Sequence, residues 1–110
     1  MKLRIGSNTV QVLVFNTVIA KSLGLMFQYN QDAFFVFGKP VNYAIHTWFC
    51  FQQLHLLFLD HNMRVIEQTH LNPWQIYKPI NTYHYLVELT TRIPIKKNQQ
   101  IRMKKMERHF

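Results

Sequence analysis

Three glycines, four prolines, one cysteine and five acidic residues make up the whole supply of those types in this 110-residue chain. A single cysteine, Cys50, can close no internal disulfide and can build no cysteine-based zinc site. Flanked by two phenylalanines, it reads as a small buried thiol rather than a nucleophile. With so few glycines and acids, the glycine-rich phosphate loop, the nucleophile elbow, the His-Glu-x-x-His run and the paired-carboxylate phrase are all missing. Enzyme classes that depend on them are set aside, and the expectation is a protein without catalytic activity, cofactor or metal. No apolar stretch approaches the ~18 residues that cross a bilayer as a helix, and Met1-Lys2-Leu3-Arg4-Ile5-Gly6 has no signal-peptide core. A cytoplasmic chain with no transmembrane segment is expected.

What is present is apolar and aromatic: 48% hydrophobic residues, nine of them Phe. That is enough to offset chain entropy with one core, so a single domain spanning residues 1–110 is expected, a β-sandwich over 1–103 followed by a basic tail over 104–110. The net charge is +8, and the last nineteen residues carry +6 of it. The basic character therefore belongs mostly to the C-terminal end.

The local pattern is that of strands. Lys2 to Ile5 and Thr9 to Phe15 flank Gly6-Ser7-Asn8 and read as a hairpin. Asn16-Thr17 suits a cap for one short helix over Val18 to Leu23, with Gly24 as its stop. Then come apolar runs of five to nine residues broken by turn residues: Ala33 to Phe37, Tyr43 to Phe51, Leu54 to Leu59, Arg64 to His70 and Tyr83 to Thr90. This spacing predicts a mainly β fold of antiparallel sheets, a sandwich or jelly roll. Leu54 to Leu59 is apolar on both faces except His55, which predicts a central strand. Trp74, Ile76 and Tyr77 are expected to fold back on the sandwich from a loop bounded by Pro73 and Pro79. Ile101 and Met103 suit a last strand entered through a Lys-Asn turn, and Met103, Met106 and Phe110 fit one face of a competing terminal helix.

The order Gly24-Leu25-Met26-Phe27, Phe34-Phe35-Val36-Phe37, an aromatic strand running into Leu54 to Asp60, and finally Tyr85-Leu86-Val87-Glu88-Leu89 resembles the family called domain of unknown function 192, over roughly Val10 to Met103. The resemblance implies a compact jelly-roll sandwich with little helix and implies no established activity. The chain resembles the short, intracellular archaeal form. It departs from the bacterial pattern where His46-Thr47-Trp48-Phe49-Cys50 replaces Trp-Met-Lys-Asn-Thr and Gln53-Leu54-His55 replaces Pro-Leu-Asp. A polar site built on that Lys, Asn and Asp is absent or rebuilt.

Three functional readings stay open. The first is a small binding or interaction module with an unknown partner, as a monomer or weak homodimer. The second is binding of nucleic acid, or of an acidic protein surface, through the basic end: Lys96, Lys97, Arg102, Lys104, Lys105 and Arg108, interleaved with apolar residues. A charge run is more often a solvated tail. The third is a small-ligand or enzymatic pocket among Met26, His46, Trp48, His55, Trp74 and Glu88. His46 and His55 are expected on neighbouring strands, but their spacing with His84 or Asp60 matches no metal motif. Glu88, inside an apolar strand, demands a partner such as Arg64, a histidine or a backbone amide, or else a proton.

Overall fold

The computed structural model describes residues 1–16, 31–48 and 50–104. The short helix expected at Val18 to Leu23, the Gly24-to-Phe27 phrase with Met26, and Lys105 and Arg108 lie outside the described residues. The rest is mainly β, as the spacing predicts, with no helix among the described residues.

Among the described residues nine strands form: β1 (Lys2–Ile5), β2 (Asn8–Phe15), β3 (Asp32–Val41), β4 (Ile45–His46), β5 (Leu54–Leu59), β6 (Val65–Leu71), β7 (Ile76–Tyr77), β8 (Tyr83–Leu89) and β9 (Ile101–Lys104). Seven make one sheet in the order β6-β5-β8-β3-β2-β1-β9, and β4 pairs only with β7. β1 and β2 are the expected hairpin, with Gly6 at φ 60° supplying the left-handed turn residue. β2 and β3 run parallel rather than antiparallel, pairing Val12 with Asp32 and Phe15 with Phe35. Parallel neighbours need a connection of a dozen residues or more, which the chain between them is long enough to make.

The sheet curls until its last strand returns to its first. Arg64 bridges Gln100, Val65 N–H donates to the Gln99 carbonyl at 2.9 Å, and Ile101 N–H donates to the Met63 carbonyl at 2.9 Å. One core lies inside the curl, where all seven strands contribute: Leu3, Ile5, Val12, Phe34, Leu57, Leu59, Val65, Val87, Leu89 and Ile101. A second core lies on the other face of β3, β5 and β8, built from Ala33, Phe35, Leu54, Leu56, Phe58, Tyr83 and Leu86, with Ile45 of β4 and Tyr77 of β7 packed against it. β5 sits between both cores and is buried at all six positions, as its unbroken apolar run predicts.

Two expected strand boundaries also fail. Gly38-Lys39-Pro40 does not end β3; the pairing with β8 shifts register between Val36 and Val41 and the strand continues past a bulge. Tyr43 to Phe51 is not a strand either. Only Ile45 and His46 pair, because the chain then turns at Thr47 and is held there by the loop before β7. Among the described residues of that run Ile45 and Cys50 pack on the second core, whereas Tyr43, Trp48 and Phe51 are exposed, so composition alone mimics a strand.

Candidate functional site

Alternation along β1 turns Leu3 and Ile5 inward and leaves Lys2 and Arg4 exposed. Along β9, Ile101 is buried and Arg102 and Lys104 are exposed. The antiparallel register puts Lys2 opposite Lys104 and Arg4 opposite Arg102. Directly paired side chains start about 5 Å apart, and successive outward positions on one strand are about 7 Å apart. Four cations thus form a two-by-two array. Their neighbours on β2, Gln11 beside Lys2 and Thr9 beside Arg4, are neutral. Like charges directly opposite one another are destabilising, so this arrangement works against the fold.

Lys96 and Lys97 are exposed in the turn before β9, where Lys96 N–H donates to Gln99 Oε1 at 2.9 Å. Asn98 is held at φ 64°, and its carbonyl accepts Arg64 Nη1 at 3.2 Å. The turn lies beside the β1–β2 hairpin, since a Cβ on Gly6 would come within 3.2 Å of Gln99 Nε2. The structure thus joins Lys96, Lys97, Arg102 and Lys104 to three cations that sequence reasoning missed: Lys2, Arg4 and Arg64. The alternation Lys2-Leu3-Arg4-Ile5 signals two cations on one face, but nothing local says that β9 will pair with it.

The residues proposed for a pocket separate into three places. His46, Trp48 and Trp74 come together. The His46 and Trp48 rings stack at 5.8 Å and the two indoles are 6.1 Å apart, tilted by 41°. Thr47, fully buried, locks the two loops: its N–H donates to the Gln75 carbonyl at 2.8 Å, its hydroxyl oxygen lies 2.7 Å from the Asn72 carbonyl, and Gln75 N–H donates to that oxygen at 2.8 Å. Its carbonyl accepts Trp74 N–H at 3.0 Å. Trp74 adopts φ 62°, a conformation that costs a bulky residue about 1–3 kcal/mol. Yet Trp74 is 52% exposed, Trp48 39% and Ile76 63%. The expected folding-back of Trp74 and Ile76 does not occur; only Tyr77 packs down, 5.8 Å from Phe58.

His55 lies elsewhere, because β4 and β5 are in different sheets and His46 and His55 are not on neighbouring strands. His55 is 3% exposed, its Nε2 is 2.8 Å from Gln68 Oε1 and its ring stacks on His70 at 4.2 Å. Its Nδ1 is buried with no hydrogen-bond partner. Burial lowers the pKa of both rings, and Arg92 nearby adds to it, so both stay neutral at ordinary pH. Arg92 itself donates Nε and Nη2 to Gln53 Oε1 at 3.2 and 3.0 Å.

Glu88 is 7% exposed on the face of β8 toward the second core, paired between Ala33 and Leu56. Burial pushes its carboxyl up to about 8, and burial followed by the charge of Glu88 pushes Cys50 to about 11. A proton rather than Arg64 answers the burial of Glu88, and Cys50 is no thiolate. Among the described residues no three of His, Cys, Asp or Glu converge on a metal position. A cleft of about 400 Å³ opens between Asn8–Gln11 of β2 and the segment Leu89 to Pro94, with Asp32 and Arg92 in its wall. None of the five described pocket residues, His46, Trp48, His55, Trp74 and Glu88, lines it.

The acid that holds the loop after β7 is Glu67. Its carboxylate accepts the Tyr77 hydroxyl, Ile80 N–H at 3.1 Å, and Asn81 N–H and Nδ2 at 3.0 Å. Although burial opposes ionisation, these bonds hold its pKa below the usual carboxylate value.

No protein-family model matches the chain. Over 82 residues it is 37% identical to a UPF0127 protein of Pyrococcus horikoshii, covering 71% of this chain and 70% of that one. Over 83 residues it is 30% identical to a UPF0127 protein of Pyrococcus furiosus, covering 72% and 71%. A UPF0127 protein of Thermococcus sibiricus is also 30% identical, but the match spans only 54% of its length. Among solved structures, a protein of unknown function from Novosphingobium aromaticivorans superposes with a TM-score of 0.79 at 14% identity, covering 93% of this chain and 84% of that one. A candidate transcription regulator from Sinorhizobium meliloti superposes at 0.80 with 16% identity, covering 92% and 89%. At such identities the likeness is one of fold.

Proposed function

The chain belongs to the UPF0127 family, whose function is uncharacterised, and from that premise we propose that it is a small non-catalytic binding module whose partner is the phosphate backbone of nucleic acid. The observation that carries this reading is the unneutralised array Lys2, Arg4, Arg102 and Lys104 on the outer face of β1 and β9. A sheet that places like charges in register gives up stability, and a polyanion laid across it would recover that loss. The repeat of about 7 Å along each strand is close to the spacing of successive phosphates on one nucleic-acid strand, so each cross-strand pair serves one phosphate. Lys96, Lys97 and Arg64 extend the charge, as do Lys105 and Arg108 by sequence.

A cytoplasmic location belongs to the same proposal, and among the described residues no helix is long and apolar enough to cross a membrane. We also read this family as the one that the phrases Phe34-Phe35-Val36-Phe37 and Tyr85-Leu86-Val87-Glu88-Leu89 resemble, domain of unknown function 192.

The test is fluorescence anisotropy of labelled single- and double-stranded oligonucleotides across a salt series. Binding should weaken steeply with salt, and replacing Lys2, Arg4, Arg102 and Lys104 by Gln should lower the slope of log K against log salt by about 0.7–0.9 for each cation that meets a phosphate. Absence of binding at low salt would discard nucleic acid and direct attention to an acidic protein surface.

A further inference from the structure

We propose that the exposed surface formed by Trp48, Trp74 and the side-chain amides of Asn72 and Gln75 is a carbohydrate-binding site, separate from the cationic face. Four observations meet there. Two indoles 6.1 Å apart keep a large part of their surface in water. Trp74 is held in the left-handed region by a backbone bond to Thr47, a conformation that glycine or asparagine would accept far more easily. A position that keeps a tryptophan against its backbone preference, with the ring outward, marks a ring used for contact. The buried Thr47 fixes both loops, so the two indoles are presented by a rigid frame rather than by loose chain.

The fourth observation concerns the polar groups around the rings. Gln53 Nε2 donates to Asn72 Oδ1 at 2.9 Å, and Asn72 N–H donates to Gln75 Oε1 at 2.9 Å. Both acceptor oxygens are thereby occupied. The donor ends, Asn72 Nδ2 and Gln75 Nε2, have no protein partner among the described residues, and both side chains are exposed. Fixed neutral amide donors beside flat apolar rings suit a pyranose, which offers hydroxyl acceptors at its edge and C–H bonds on its face. The charged side chain nearest in this network, Arg92, is already bound to Gln53. A ligand selected for charge would find its partners at the other end of the molecule. Because Arg64 pairs antiparallel with Gln100, β6 runs from that point toward Trp74 while β9 runs the opposite way to Lys104. At about 3.3 Å per residue, the length of β6 lies between this surface and Arg64, and that of β9 is added before Lys104, so both surfaces can be occupied together.

Trp48 and Trp74 are the two tryptophans of the chain, so intrinsic indole fluorescence reports on this surface directly. The experiment titrates the full chain with soluble hexasaccharides of glucose (α- and β-linked), N-acetylglucosamine, mannose and xylose, reading emission and heat of binding. At least one should give a saturable change of millimolar or tighter affinity. Asn72→Asp, which keeps the oxygen that Gln53 donates to and removes the free donor, should weaken it about tenfold. Trp74→Gly, which suits the backbone conformation and removes the ring, should abolish the heat of binding while raising rather than lowering the melting temperature. Lys104→Gln should leave saccharide binding unchanged. No saturable change with any of the five, or binding that survives both Asn72→Asp and Trp74→Gly, would overturn the site without touching the nucleic-acid reading.

Discussion

Lys2 stands directly opposite Lys104 across the β1–β9 ladder, with no acidic side chain on the neighbouring β2 positions to balance them. Two ammonium groups so placed repel, at a cost of about 0.2–1 kcal/mol per pair. Replacing Lys104 by Gln should therefore stabilise the fold by an amount in that range at low ionic strength, with the gain shrinking as salt screens the pair. The same substitution should weaken oligonucleotide binding. Denaturant unfolding at two salt concentrations reads the first effect and anisotropy the second. A loss of stability on substitution would show that the ladder is not under charge repulsion.

Thr47 is the hub of the loop frame, fully buried and bonded through N–H, carbonyl and hydroxyl to Asn72, Trp74 and Gln75. Thr47→Val keeps the shape and removes the hydroxyl, leaving Gln75 N–H without its acceptor. The expected cost is about 0.5–1.5 kcal/mol, the net worth of one part-buried hydrogen bond. It should appear as a lower denaturation midpoint at unchanged slope, together with a red shift of indole emission as Trp48 and Trp74 lose their fixed setting. An unchanged midpoint would mean that the two loops are held by something other than this latch.

Between about pH 4.5 and 8 the pH dependence of stability should be set by groups acting in opposite directions, His55 and its stacked neighbour His70 against Glu88. His55 titrates below its ordinary 6.5 in the fold, chiefly through burial, so the unfolded chain takes up the proton first on acidification. The stability it confers is present above about pH 6.5 and is lost as pH falls through the folded value. Glu88 is raised from 4.5 to about 8, so between those values the folded chain holds a proton that the unfolded chain has released. Stability should therefore fall as pH rises through that window. Glu88→Gln should remove this decline, leaving the protein more stable than the parent near pH 8 and little changed near pH 4. Urea unfolding across this range checks it; parallel profiles for parent and variant would show that the carboxyl ionises freely in the fold.

The elements legible in the sequence are those whose evidence is local. Leu54 to Leu59 announces a strand buried on both faces because no position in it, apart from His55, tolerates water, and that strand sits between β6 and β8. The β1–β2 hairpin follows from Gly6, whose positive φ closes the turn. Tyr43 to Phe51 misleads because an apolar run does not by itself say which residues are covered: Ile45 and Cys50 pack on the second core, whereas Tyr43, Trp48 and Phe51 are exposed. A loop beside a core carries apolar residues as a strand does, and Cys50 is buried here outside any strand. For the candidate sites the limit is the same. Trp74 is expected to fold back on the sandwich and Trp48 to lie in a strand, and the exposure of both follows from the latch at Thr47, which joins segments far apart in the chain.

Side-chain alternation along each segment decided which residues face inward, and composition decided that the chain would be a β protein with one charged end. Both rest on interactions within a few residues. Strand order, the parallel pairing of β2 with β3, and the return of β9 to the start of β6 were decided by the tertiary structure. These depend on which distant segments can close loops and share a core, a balance of chain entropy against burial summed over the whole chain. That balance brings Lys2 and Arg4 from one terminus against Lys104 and Arg102 from the other, and sets His46 and His55, nine positions apart in the chain, in different sheets.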